Sequence, residues 1–270
     1  MIFLSIDRVR NTMVLGLVVL ISACQKMGTI PVVPSAASLT VVNAVPGSTP
    51  VIPVINTGSP ITYFSFVNPL IGYGSFIEYS PPGGEDTTYV VQRTDTLALD
   101  IGPKSNMLFY NILNLKPGGI YSLYLCGTDT SSPDYLLTTD SIPYYGPTDS
   151  VMGIRFVNLS TGSNPISINL EGNANGSEIG SLAYKGITTF KQYVNNSNTL
   201  DYFFVIRDAA TGDSLTQFDF VQNYSYNGGF GLIDPVTYNL LTFKSITIAI
   251  YGSESNGSTF PLNTMLVDDY

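Results

Sequence analysis

Any acid–base chemistry in this chain would fall to carboxylates, because histidine is absent. Without an imidazole there is no Ser-His-Asp or Cys-His nucleophile activation and no histidine-ligated metal. Glu78, Glu85, Asp86, Asp95, Glu171 and Glu178 are spread over separate segments. A glycosidase pair is defined by a gap in space, which their spacing along the chain does not supply. They read as solvated loop acids. Asp129–Asp134 (DTSSPD), Asp208–Asp213 (DAATGD) and Glu171–Glu178 (EGNANGSE) offer oxygen ligands for calcium, but none has EF-hand spacing. Asp208–Asp213 brackets Thr211-Gly212 and is better explained as a hairpin turn. No metal and no cofactor is expected.

Tyrosine, with 18 residues, could build a stacking platform for a sugar. Tyr144 and Tyr145, and Tyr224 and Tyr226 beside Gly228-Gly229, are the candidate exposed rings. The same residue also serves as an ordinary strand aromatic with one polar end. Of the two cysteines, Cys126 closes the alternating stretch Ile120–Cys126, with no basic neighbour to lower its pKa, and reads as a packed, inert thiol.

Cys24 stands in a different context. Arg8 and Arg10 precede Met13–Ile21, an apolar run of nine residues that is too short to span a bilayer. Ile21-Ser22-Ala23-Cys24 follows at once and resembles the bacterial lipobox. The resemblance implies cleavage of a signal peptide, residues 1–23, and lipidation of Cys24. With ~0.8 kcal/mol per buried methylene, several acyl chains hold a protein on a membrane for good. Cys24-Gln25-Lys26 is also similar to the start of a Bacteroidetes surface-export signal, although Met27 and Gly28 replace its acidic residues. The expected address is the cell envelope, at the periplasmic face or the outer surface of the outer membrane. Residues 24–37, with Pro31 and Pro34, read as a tether.

The elements that would position any site come from a stretch that occurs twice. Ser38–Val54 (SLTVVNAVPGSTPVIPV) and Gly153–Asn169 (GIRFVNLSTGSNPISIN) share Val-Asn, then Gly-Ser-x-Pro, between alternating apolar positions. That is a strand, a turn and a second strand. Short alternating segments punctuated by Pro and Gly continue through both halves, and no sustained helical period occurs. The expected fold is all-β: two tandem immunoglobulin-like or fibronectin-like antiparallel sandwiches. Their expected bounds are residues 38–141 and 151–252, joined by a linker at 142–150, with 253–270 as a tail or an edge strand. Tyr121, in Leu115–Tyr121, and Tyr238, in Leu232–Tyr238, share a spacing that suggests a tyrosine corner in each copy.

The duplicated Val-Asn start (Leu39–Pro50; Arg155-Phe156-Val157-Asn158), the late Leu115–Leu125 segment and Leu136–Asp140 (LLTTD) together resemble domain-of-unknown-function family 4397. That resemblance implies paired immunoglobulin-like sandwiches in a bacterial lipoprotein and carries no active-site residues. Copy one departs from it with Thr40 where copy two has Arg155. Asp-Ser/Thr pairs resemble the O-glycosylation sequon of Bacteroidetes periplasmic proteins, with Thr87, Thr96, Ser141, Ser150 and Ser214 as acceptors.

Charged residues are only 11% and the net charge is −9, with no basic cluster, which argues against a nucleic-acid partner. The leading functional expectation is a non-catalytic envelope lipoprotein, structural or protein-binding at the membrane surface. The alternative is a glycan- or polymer-binding lipoprotein using the loop tyrosines, and a carboxylate- or metal-dependent hydrolase comes third. Metabolic labelling with a fatty acid should mark the wild type and not Cys24→Ala; equal labelling would remove the anchor.

Overall fold

Alternation of apolar and polar residues becomes strand wherever the computed structural model describes the chain: residues 36–55, 70–81, 83–92, 107–146, 148–162, 164–195, 202–220, 243–254 and 258–269. Copy one contributes β1 (Ser38–Asn43), β2 (Val51–Ile55), β3 (Ser75–Tyr79), β4 (Gly84–Gln92), β5 (Met107–Leu115), β6 (Ile120–Gly127) and β7 (Pro133–Thr139). Copy two contributes β8 (Val151–Asn158), β9 (Ile166–Leu170), β10 (Ile179–Leu182), β11 (Lys191–Val194), β12 (Phe203–Asp208), β13 (Ser214–Asp219), β14 (Ser245–Tyr251) and β15 (Asn263–Asp268). No helical element occurs among the described residues. The chain is all-β.

The sheets repeat one plan. Sheet β3-β1-β6-β7 corresponds to β11-β8-β14-β15, and sheet β2-β4-β5 to β9-β12-β13, which β10 extends by one strand. In each copy the first strand pairs antiparallel with its third-strand neighbour and parallel with a strand far downstream: β1 with β6, β8 with β14. Register then fixes the equivalences. Val42 lies beside Tyr124 and Tyr124 beside Leu136; Val157 lies beside Ala249 and Ala249 beside Met265. By the same register Asp140 and Asp269 are counterparts just past β7 and β15. The C-terminal stretch 263–268 is thus the counterpart of β7, a strand that sequence periodicity had not separated from its surroundings.

The shared signature has a mechanical reason. Asn43 and Asn158 end β1 and β8 and are fully buried. Each side-chain oxygen accepts the N–H two residues on, from Val45 or Ser160, closing an Asx turn. Each amide nitrogen donates to a backbone carbonyl, Ile71 or Leu182. The Gly that follows, Gly47 or Gly162, has φ of 75° or 71°, a conformation only glycine adopts without strain.

Inward-facing residues make one core per copy. Leu39, Val41, Val51, Val90, Leu113, Leu115, Leu123 and Leu125 fill the first. Ile154, Phe156, Ile168, Phe204, Ile206, Phe218, Ile246 and Ile248 fill the second. A third cluster joins them. Val42, Ala44, Tyr124 and Cys126 of copy one are buried with Val157, Leu159, Ala249, Tyr251, Met265 and Val267 of copy two. Those are the outward residues of β1, β6, β8, β14 and β15, so the copies meet through equivalent faces, as in an isologous dimer. Cys126 lies inside this contact, and burial pushes its thiol up to about 11.

The tyrosine corner is present in copy one with its polarity reversed. The Lys116 N–H donates to the Tyr121 hydroxyl at 2.8 Å, whereas the usual corner has the hydroxyl donating to the backbone. The ring lies so close to Gly119 that a Cβ there would meet it at 2.7 Å. In copy two the register position of Tyr121 is held by Ile246, beside Ile154 as Tyr121 is beside Leu39. Tyr238, the second proposed corner, lies outside the described residues. Tyr121→Phe removes the acceptor and should cost about 1–2 kcal/mol in urea unfolding; a variant as stable as its parent would reduce the corner to incidental contact.

Candidate functional site

The two copies differ most on the outward face of the sheet turned away from their mutual contact. In copy two, Ser167 and Asn169 on β9, Arg207 on β12 and Gln217 on β13 occupy it. Arg207 Nε donates to Asn169 Oδ1 at 3.2 Å, and Val205 lies between Asn169 and Gln217 on the same face. The register counterparts on copy one are apolar. Ile52 and Val54 on β2 stand where copy two has Ser167 and Asn169. Ile52 and Val54 are buried in a cluster of their own with Met107, apart from the main core. On β5, Tyr110 (67% exposed) and Ile112 (64% exposed) stand where copy two has Gln217 and Asp219.

Among the described residues β5 also ends its sheet. The Ile112 N–H is taken by the side chain of Asn111 at 2.8 Å, so it points away from β4. Antiparallel geometry then turns the backbone groups of Tyr110 the same way. An edge strand with a period-two apolar pair is a template for another extended chain. Copy two shows how such an edge is closed: Thr264 of β15 donates its hydroxyl to the Gln217 carbonyl of β13. In copy one the corresponding neighbour is Tyr135 of β7, whose ring packs edge-on against Phe109 and whose hydroxyl accepts from the Asn111 side chain.

The candidate residues read from sequence fall out as follows. Tyr144 is 88% exposed, but Tyr145 is only 5% exposed and cannot offer a stacking face beside it. The reason is Gly153: a Cβ there would strike the Tyr145 hydroxyl at 2.2 Å, so the ring lies flat on the start of β8. Tyr224 and Tyr226 lie outside the described residues, as do Thr96 and Cys24. Thr87 falls within β4, and Ser141, Ser150 and Ser214 are exposed. Asp208 accepts from the N–H groups of Ala210 and Thr211 and from Asn164, which makes it the organiser of the β12–β13 turn. Asp129 does the same for Ser131 and Ser132. Glu178 accepts from Tyr193 and Lys191. Among the described residues no three metal-binding side chains gather at one point.

Sequence reasoning missed the polar centre of the contact between copies. Arg155, on β8, reaches Asp140 at 2.7 Å and Asp269 at 3.0 Å, all three nearly fully buried. Its Nε donates to Thr247 at 2.6 Å, Tyr124 lies 3.4 Å from Nη2, and its guanidinium sits 4.6 Å over the Phe190 ring. Ser122 and Thr138 donate to Asp140, and Thr247 donates to Asp269. Burial alone would lower the Arg155 pKa, but the bond to Asp140 and the surrounding charges raise it further. The only sequence trace of this arrangement was the departure of Thr40 from Arg155. A lesser link lies nearby, where Tyr184 and Lys185 of copy two reach Asp134 of copy one.

No family model and no curated protein matches this chain. Among solved structures it is similar to a candidate adhesin from Bacteroides ovatus, with 12% identity, covering 87% of this chain and 95% of that one, at a TM-score of 0.27. It is also similar to the fimbrial anchor protein Mfa2 from Porphyromonas gingivalis, with 9% identity over 87% and 100% and a TM-score of 0.24. A third is a candidate polysaccharide-binding protein (DUF1812) from Bacteroides thetaiotaomicron, with 11% identity over 87% and 98% and a TM-score of 0.25. Superpositions this loose carry no argument about what the chain does.

Removing the guanidinium would leave the buried acids Asp140 and Asp269 without their cation. Arg155→Met should therefore cost roughly 3–5 kcal/mol in chemical denaturation, well beyond the loss for Asp140→Asn. Equal, small losses for both variants would show that the cluster is hydrated and contributes little.

Proposed function

We propose that this is a non-catalytic, lipid-anchored protein of the cell envelope that binds another protein through copy one, with copy two as its rigid support. The observation that carries the reading is the contrast between the copies. Ile52, Val54, Tyr110 and Ile112 of copy one stand where copy two has Ser167, Asn169, Gln217 and Asp219, and Tyr110 and Ile112 lie exposed on a strand that ends its sheet among the described residues. Two sandwiches built to one plan need no such difference for stability. An exposed apolar pair on an edge is a liability unless something covers it. An extended segment of a partner laid along β5 would satisfy the edge backbone and bury both side chains. The lipobox-like Ile21–Cys24 supports the anchored address, and the likeness of the two copies in strand order supports the resemblance to the tandem family of unknown function.

The glycan-binding alternative keeps one observation, the exposed Tyr144 ring, but loses the neighbouring ring that would make a platform. Site-specific photo-crosslinking distinguishes the two. A photoreactive phenylalanine at position 110 in the full chain, in cells, should give protein adducts that Ile112→Lys abolishes, while position 217 gives none. Adducts of equal yield at both positions, or none at 110, would overturn the protein-binding reading. Retention on polysaccharide lost with Tyr144→Ala would favour the alternative.

A further inference from the structure

We propose that the contact between the two copies is a pH-sensitive latch, in which Asp269 is held as the neutral acid when the copies are docked and weakens the docking as it ionises. This is independent of what β5 binds. The cluster at the contact has two acids and one base. Asp269 faces Arg155 from β8, Thr247 from β14, Asp140 from the end of β7, and Tyr124 from β6. Lys244, the next nearest cation on its own sheet, is paired to Asp268. At the position equivalent to Arg155, copy one has Thr40, which is buried and brings no charge. A symmetric contact with two arginines would balance two aspartates; this one is short by one positive charge.

Docking is what creates the shortage. Arg155, Thr247 and Asp269 all belong to copy two, so they stay together when the copies part. Copy one brings the second carboxylate, Asp140, and the cover that excludes water. Burial first, with Asp140 adding to it, pushes Asp269 up to about 6 against the pull of Arg155 and Thr247. Once undocked, the carboxyl regains water and sole use of Arg155 and falls back to or below the ordinary aspartate value of about 3.9. Between those values the docked form holds a proton that the open form has released. Docking is therefore tightest at the acid end of that interval, weakens as the pH rises through it, and is level above it. The full change is roughly a hundredfold in the docking equilibrium.

Few other groups interfere. The chain has no histidine. The bonded carboxylates Asp129, Asp134, Asp208 and Glu178 are all held below their ordinary values. Their stabilising contributions are present above the ordinary carboxylate range and fade only below it, on the far side of the interval.

Cys126 reports the opening directly, because its sulfur is buried in the contact. In a Cys24→Ala background it is the only thiol. Its rate of reaction with a dipyridyl disulfide, divided by the rate for the denatured chain at the same pH, measures the open fraction free of thiolate chemistry. That ratio should rise roughly a hundredfold between about pH 4 and about pH 7.5, and stay flat in Asp269→Asn. A flat ratio in the parent, or the same rise in the variant, would overturn the latch. Should the variant fail to fold, a carbon NMR titration of the unaltered Asp269 carboxyl decides: a midpoint near 6 supports it, and one at or below about 4 overturns it.

Discussion

One guanidinium between two carboxylates governs how this chain is put together. Arg155 is the only cation in a buried cluster fed by three strands and the ends of two more. A buried charge is tolerated only where its partners are fixed. The positions of β6, β7, β8, β14 and β15 are therefore tied to one another through a single side chain. The apolar cluster around it supplies the bulk of the attraction. Arg155 supplies the register, because a shift of either face by one residue would leave at least one charge without its partner.

Duplication gave the chain two equivalent faces, and divergence then made the pair unequal. Thr40 beside Ser122 on one side stands against Arg155 beside Thr247 on the other, so a charge has been placed on one copy alone. The contact thereby acquired a preferred pairing: copy one against copy two, with the arginine contributed once. The opposite faces diverged as well, with Ser167 and Asn169 on copy two against Ile52 and Val54 on copy one, and with Tyr110 and Ile112 exposed on copy one.

Much of the fold was legible because strands and turns write locally. The Val-Asn pair and its glycine recur because both copies must close the same Asx turn around a positive φ. The alternation in β6 placed Tyr121, Leu123 and Leu125 on the core side and Tyr124 and Cys126 on the other, as the packing has them. What was not legible depends on partners far away. Arg155 and Asp269 are separated by 114 positions, and no local pattern marks either. Tyr145 looked like a linker ring in a Pro/Gly-rich stretch, and only the glycine waiting on β8 explains why it is buried. Spacing matched Tyr238 to Tyr121, but parallel pairing of β14 with β8 gives that place to Ile246.

The parallel neighbours also set an order of events. In both copies the opening strand lies between an early partner and one that is synthesised much later, β6 for β1 and β14 for β8. Neither half can close until most of its length has emerged, and long loop closures of this kind fold slowly. The arginine waits longer still, since its second carboxylate arrives after β15. The chain emerges with Asp140 ahead of Arg155, so the arginine meets its first acid early and waits for the second until the end of the chain. One edge of β1 stays open until β6 has emerged, and one edge of β8 until β14 has.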